Sequence, residues 1–213
     1  MPTSSQWIAF VVASVLFIQV PGPSLLFTIG RALTVGRRDA LLSVVGNSWG
    51  IVTQAFATAV GLGAVVAASS QAYLAVKIAG AAYVVWLGVQ AIRHRADARV
   101  ALETVRRGSA DPAPALRSLR VGFTVGVTNP KTLVFFVAFL PQFVNEPAGH
   151  AGLQVAALGV VFGTLGVASD SLWALAAGKA RDWFARRPHR LDRLGAAGGV
   201  MMIGLGAGLA ASK

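Results

Sequence analysis

Sixteen of the nineteen Lys and Arg residues in this chain fall into three short windows, and the stretches between them are long, apolar and almost free of charge. Arg31, Arg37 and Arg38 form the first window. Arg93, Arg95, Arg99, Arg106, Arg107, Arg117 and Arg120 form the second, and Lys179, Arg181, Arg186, Arg187, Arg190 and Arg193 the third. Only Lys77, Lys131 and Lys213 fall elsewhere. A helix needs about 20 mainly apolar residues to cross the hydrocarbon core of a bilayer. The segments outside the windows therefore hold six crossings, at about 6–30, 40–67, 73–92, 121–144, 151–178 and 194–211. Lys and Arg near span ends stay on the cytoplasmic side, so the windows belong inside. The loops at 68–71 and 145–150, which lack Lys and Arg, belong outside, and so do both termini. The expected class is an all-α integral membrane protein.

Composition supports this. Hydrophobic residues make up 55% of the chain and charged ones 13%, about half the charged share of a soluble domain. The net charge of +11 is not a nucleic-acid footprint, because the basic residues flank apolar spans instead of interleaving with aromatics. Orientation against anionic lipid explains it more simply. The absence of Cys excludes disulfides, thiol redox chemistry and thiolate metal sites. His94, His150 and His189 fall in expected loops without a carboxylate at ligand spacing, so no metal or other cofactor is expected. The first 30 residues carry no basic leader region and no small-residue cleavage site, which reads as a retained helix and not a removable signal peptide.

The long polar connection at 93–120, with Pro112 and Pro114, divides the chain into halves 1–92 and 121–213. Each half has three spans, so an odd number of crossings inverts the second half relative to the first. The first span of each half carries a Pro-centred interruption: Pro21, Gly22 and Pro23 in one, Asn129 and Pro130 in the other. At about 1.5 Å of rise per residue, both lie about 15 to 20 Å into the membrane. Proline removes a donor and clashes with the preceding turn, freeing backbone groups at a depth where irregular chain survives only inside protein or beside a wet cavity. Matched interruptions in inverted halves are a sequence-level pointer to a transporter's binding site. Freed N–H groups suit a carboxylate, and freed carbonyls suit an ammonium or a coupling cation. A simple Pro kink is the alternative.

An ionisable residue inside a span costs about 2.5 to 3.5 kcal/mol on insertion scales and is a functional candidate by default. Lys131 directly follows Pro130; it either serves the site, pairs with a freed carbonyl or snorkels. Asp170, in the inner third of the fifth span, is a partner for Lys131, a carrier of a coupling proton or a receptor for a substrate ammonium. Lys77 lies close enough to the outer loop to snorkel. Asn47 and Gln54, two turns apart on the second span, either line a path or join helices. Asp39, beside Arg37 and Arg38, reads as a helix-start residue. Gly46 with Gly50, Gly195 with Gly199, and Gly204 with Gly208 have the spacing of close helix packing. The candidate substrate-binding set is thus Pro21, Gly22, Pro23, Ser24, Asn47, Thr128, Asn129, Pro130 and Lys131, with Asp170 and Lys131 as the coupling or ion-pairing groups.

The run Pro21-Gly22-Pro23-Ser24-Leu25-Leu26, followed by Gly36-Arg37-Arg38 and Gly46, resembles the opening of the LysE/RhtB family of amino-acid exporters. Lys77 to Tyr83 with Leu87-Gly88 is similar to that family's third helix, and Gly122-Phe123, Asn129-Pro130-Lys131-Thr132 and Leu140-Pro141-Gln142-Phe143 to its fourth. The chain departs at Ser24, where many relatives carry Asn, and at Asn47-Ser48-Trp49, where they often carry smaller residues. The resemblance implies secondary active export of amino acids or their derivatives, driven by a proton or other ion gradient, across a bacterial cytoplasmic membrane. It implies a small-molecule amino acid and the lipid bilayer as partners, with a homo-oligomer left open. The competing classes are an intramembrane enzyme, for which Asp170 and Lys131 are a thin catalytic set, and a structural membrane subunit.

Overall fold

In hydrocarbon every backbone N–H and C=O must find a partner within the protein, and the chain meets this demand with helices alone. The computed structural model describes residues 1–20, 22–68, 70–93, 114–185, 187 and 189–211. Pro21 and most of the expected linker, 94–113, lie outside the described residues, as do the side chains of Lys77 and His94. Among the described residues there is no strand. The elements are α1 (Ser4–Gln19), α2 (Pro23–Thr34), α3 (Arg37–Ala68), α4 (Ser70–Arg93), α5 (Ala115–Val127), α6 (Pro130–Phe139), α7 (Ala151–Ala185) and α8 (His189–Ala211). Two short 3-10 turns, Leu140–Phe143 and Glu146–Ala148, join α6 to α7.

Two continuous stretches, Arg37–Gly61 in α3 and Ala151–Ala177 in α7, are long and apolar enough to cross a membrane. The pairs α1 with α2 and α5 with α6 each pass the same test together, bent by 53° and 47° at their breaks, which brings the number of candidate spans to four. Ile78–Arg93 of α4 and Ala196–Gly208 of α8 are apolar but shorter. Several expected boundaries shift. The final residues of the expected linker, Ala115 to Arg120, already belong to α5, and the third basic window is largely absorbed into α7 and α8. His189 opens a helix instead of lying in a loop.

Small residues decide which helices touch. Along α3, Gly46 and Gly50 press against the backbone of α5 at Leu119 and Phe123, and on α5 Gly122 and Gly126 press back against the carbonyls of Ser43 and Asn47. Without side chains at four places the two backbones come into direct contact. On α8, Gly199 meets the carbonyl of Gly88 on α4, and Gly206 meets Ala81 and Val85. The expected pair Gly204 and Gly208 is corrected: a side chain on either would meet nothing within 4 Å. The face of α8 is set by the groove of α4, which the spacing of glycines within α8 does not reveal.

Below this crossing, Asp39 lies in the first turn of α3 and is 2% exposed. Its carboxylate accepts a hydrogen bond from Ser118 Oγ of α5 at 3.1 Å, and Ser118 in turn accepts from Arg31 Nη2 of α2 at 2.8 Å. Arg31 Nε also donates to Ser43 Oγ at 3.2 Å. Asp39 therefore ties α2, α3 and α5 together and does more than start a helix. At the opposite end, Phe10, Phe17, Phe135, Phe139, Phe143 and Phe162 pack ring to ring, with Phe17 and Phe135 at 4.4 Å between centroids. The loop after α6 is closed by Gln154, whose amide binds the backbone of Asn145 and Gly149.

Replacing Gly126 with Val forces a side chain into the Asn47 carbonyl. It should destabilise the protein by about 1 to 3 kcal/mol, whereas Gly204→Ala, with open space around it, should leave stability unchanged or slightly raised. Thermal unfolding in detergent, read as loss of monodisperse protein, compares the two.

Candidate functional site

Each helix break strands carbonyls, and in each case a side chain from a distant part of the sequence reaches them. Residue 21 is a proline and has no N–H for the Phe17 carbonyl one turn earlier, which accepts the Val20 N–H at 3.3 Å instead. Lys131, in the first turn of α6, sends its Nζ to that carbonyl at 2.8 Å and to the Val20 carbonyl at 2.6 Å. The same ammonium lies 4.6 Å from the centroid of the Phe17 ring. A cation placed there also meets the negative end of the α1 dipole. The lysine stem passes over Gly22, where an added Cβ would sit 2.8 Å from Lys131 Cδ. Gly22 is small because the lysine crosses it.

The second break is capped by an amide. The Val127 carbonyl would bond the Lys131 N–H in an unbroken helix, but that N–H is taken at 3.0 Å by Asn129 Oδ1, the cap of α6. Gln54 of α3 donates its Nε2 to Val127 O at 2.8 Å and to Asn129 O at 3.1 Å. Its Oε1 accepts from Thr132 Oγ1 at 2.7 Å. Gln54 thus joins α3 to the break itself, a role that its position two turns from Asn47 hints at but does not specify.

Between the breaks runs a polar chain. Asn129 Nδ2 donates to Ser24 Oγ at 2.7 Å, Ser24 donates to Asn47 Oδ1 at 3.1 Å, and Asn47 Nδ2 reaches Asp170 Oδ2 at a long 3.5 Å. Four elements, α2, α3, α6 and α7, are connected by it. Asp170 is 5% exposed, and among the described residues this long contact is the hydrogen bond that reaches its carboxylate. Among the described residues no ion pair joins Asp170 to Lys131, whose ammonium is already engaged by carbonyls. Of the roles open to Asp170, a direct bond to Lys131 is not the one made here.

A cavity of about 30 Å³ lies here, lined on one side by Gly22, Ser24, Asn129, Lys131, Thr132 and Asp170. Phe17, Ile18, Leu25, Ile51 and Phe162 supply its apolar wall. Such a space admits a water or two. Pro23, Thr128 and Pro130 are not brought to it: all three are exposed, and the Thr128 hydroxyl turns back onto the Thr124 carbonyl at 2.6 Å. The prolines start helices, and the adjoining residues supply the lining. Asn47 stands behind the lining and holds Ser24 and Asp170. Ile51, Phe162 and Gly166 also line the cavity, and no motif in the sequence singles them out. Phe162, Gly166 and Asp170 recur every four residues on α7, a spacing that marks one helix face.

Residues 15–213 match the family model for the LysE type translocator. The chain belongs to the LysE family. It is a membrane transporter and not an enzyme. It is 33% identical over 208 residues to an uncharacterized membrane protein of Vibrio cholerae, covering 97% of each chain. It is 30% identical over 213 residues to a homoserine/homoserine lactone efflux protein of Salmonella typhimurium, covering 99% of this chain and 98% of that one. A leucine efflux protein of Klebsiella pneumoniae is 28% identical over 149 residues, covering 69% and 67%. No solved structure matches the chain.

Gln54→Leu keeps the volume at the second break but takes away the side-chain donor that reaches the Val127 carbonyl, while the Asn129 carbonyl keeps its bonds from Leu133 N–H and Thr132 Oγ1. It should lower stability by about 1 to 3 kcal/mol, the cost of a buried polar group left unpaired. Denaturation of the purified variant beside the wild type measures the loss.

Proposed function

We propose that this LysE-family chain exports amino acids or their close derivatives through the cavity between the two broken helices. The observation that carries the reading is Asp170, a carboxylate buried at that cavity with one long hydrogen bond. An anion so poorly paired in a low-dielectric setting favours a cationic ligand. The two named relatives are efflux proteins for leucine and for homoserine or its lactone. The lactone has no free carboxylate, so the amino group is what these molecules share. Asp170 receives that ammonium. A carboxylate, where there is one, meets the start of α2, where the Ser24 and Leu25 amides lie at the positive end of a helix dipole.

Six spans result when α4 and α8 are counted with the four candidates, with both termini outside and the halves 1–92 and 121–213 inverted about the linker 93–120. In support, α3 packs on α7 and α4 on α8, so each helix touches the one that a two-fold axis in the membrane plane would make its counterpart. The cavity is too small for an amino acid as it stands, so loading requires the halves to move apart, as alternating access demands. Coupling follows from charge. A bare carboxylate is costly at this depth, so the empty carrier returns with a proton or another cation on Asp170, and substrate and cation exchange across the membrane.

Efflux of preloaded labelled amino acids from proteoliposomes tests this. Asp170→Asn retains a polar side chain next to Asn47 and should fold, yet its efflux should fall by about tenfold or more, since the charged contact to the ammonium is gone. Wild-type vesicles that behave like empty ones across a broad amino-acid panel would sink the reading.

A further inference from the structure

α7 carries three glycines on its buried faces whose surroundings differ sharply. A side chain at Gly159 would collide with Ala55 of α3, and one at Gly163 would come within 2.7 Å of Val52 and 3.0 Å of Ser48 Oγ. Those two exist to let α3 approach. Gly166 is also buried, yet a Cβ there would meet nothing within 4 Å among the described residues. It lines the cavity, so the empty space over it is the cavity itself. Gly166 is not a packing residue.

Its neighbours along the helix give that space two different ends. Asp170, four residues on, presents the carboxylate, and Phe162, four residues back, presents a ring that is 1% exposed. Each step is about 6 Å along the axis. Phe162 is held by Phe135 and Phe136, each at 5.1 Å between centroids, so that end is a fixed wall. Ile18, Leu25 and Ile51 complete an apolar surround. An ammonium on Asp170 therefore directs the rest of a ligand toward the gap over Gly166.

We propose that Gly166 sets the size limit for the substrate's side chain, and that the substrates are amino acids whose side chains are uncharged. This rests on the export reading above. The missing Cβ provides room for the side chain, and Phe162 ends it. The apolar surround offers no counter-ion to a second ammonium, and the remaining charge at the cavity is Lys131, of the same sign. Lysine and arginine are thus rejected by desolvation and repulsion.

The test is counterflow in proteoliposomes with labelled alanine, leucine and lysine, for wild type, Gly166→Ala and Gly166→Leu. Ala and Leu are better helix formers than Gly, and the alanine variant has space for its methyl, so it should fold at least as well as wild type. Wild type should carry alanine and leucine but not lysine. Gly166→Ala should lower leucine transport relative to alanine severalfold, and Gly166→Leu by about tenfold or more. An unchanged leucine-to-alanine ratio in an active Gly166→Ala protein would overturn the role of Gly166, as would an equal loss of both substrates. Lysine transport rivalling leucine in wild type would overturn the uncharged class. Wild type that carries no amino acid at all would overturn the export reading, and this inference with it.

Discussion

The structure depends on satisfying backbone carbonyls, above all those of Val20 and Val127, that two helix breaks deprive of their helical donors in the middle of an apolar bundle. An unpaired carbonyl in hydrocarbon costs several kcal/mol, so neither break is tenable by itself. Lys131 supplies donors to the first and Gln54 to the second. Each donor comes from a different helix than the carbonyls it serves, so satisfying the breaks also docks α6 onto α1 and α3 onto the junction of α5 and α6. Tertiary structure and local irregularity are one arrangement: remove the docking and the breaks become too costly, straighten the breaks and the polar side chains are left buried without partners.

That arrangement also explains why charge is tolerated at this depth. Lys131 is 7% exposed but has two carbonyls and an aromatic face around its ammonium. Asp170 has far less, one long contact from Asn47 among the described residues. The two residues are equally unusual in sequence, and the structure makes them unlike: one is spent on holding the chain together, and the other faces the cavity. Of the alternatives open for Lys131, pairing with freed carbonyls is the one realised. A direct bond between the two would have spent Asp170 as well.

How much of this was legible follows from what each residue's partner is. The helices were readable because their signal, apolar length bounded by basic windows, is local to the chain. Both breaks were readable because proline's missing N–H is a covalent fact. The glycines Gly46 and Gly50 gave away a close crossing, but their matching pair Gly122 and Gly126 lies in another helix, and nothing in either segment says that they meet. Gln54 and Asp39 were ambiguous for the same reason: a polar residue in a span shows that it has a partner, not which one. Thr128 was misleading because a threonine can satisfy its hydroxyl on the preceding turn of its own helix, as it does here at Thr124. Gly166 gave no local signal at all, since a glycine that admits a neighbouring helix and one that leaves a void are the same residue in sequence.

The distribution of close contacts bears on how such a molecule moves. α3 and α5 meet backbone to backbone at four glycines and are further joined through Ser118 and Asp39. Under the inverted-repeat reading, the symmetry-related contact between the two halves is that of α1 with α7, and it is far less extensive. On that reading the two related interfaces are packed unequally, tight on the side where Arg31, Asp39 and Ser118 cluster and looser on the side of α1. Packed interfaces have discrete arrangements and do not deform continuously. A carrier that alternates between two faces exchanges the tight and loose contacts, and the polar cluster on the tight side is then what must separate before the cavity opens there. Its bonds join side chains and leave the backbone of the three helices whole, so they can be exchanged for water at the membrane surface at small net cost. The carbonyl caps at Lys131 and Gln54 are buried and bridge the two halves, so on the alternating-access reading they are the bonds for which water is the poorest substitute.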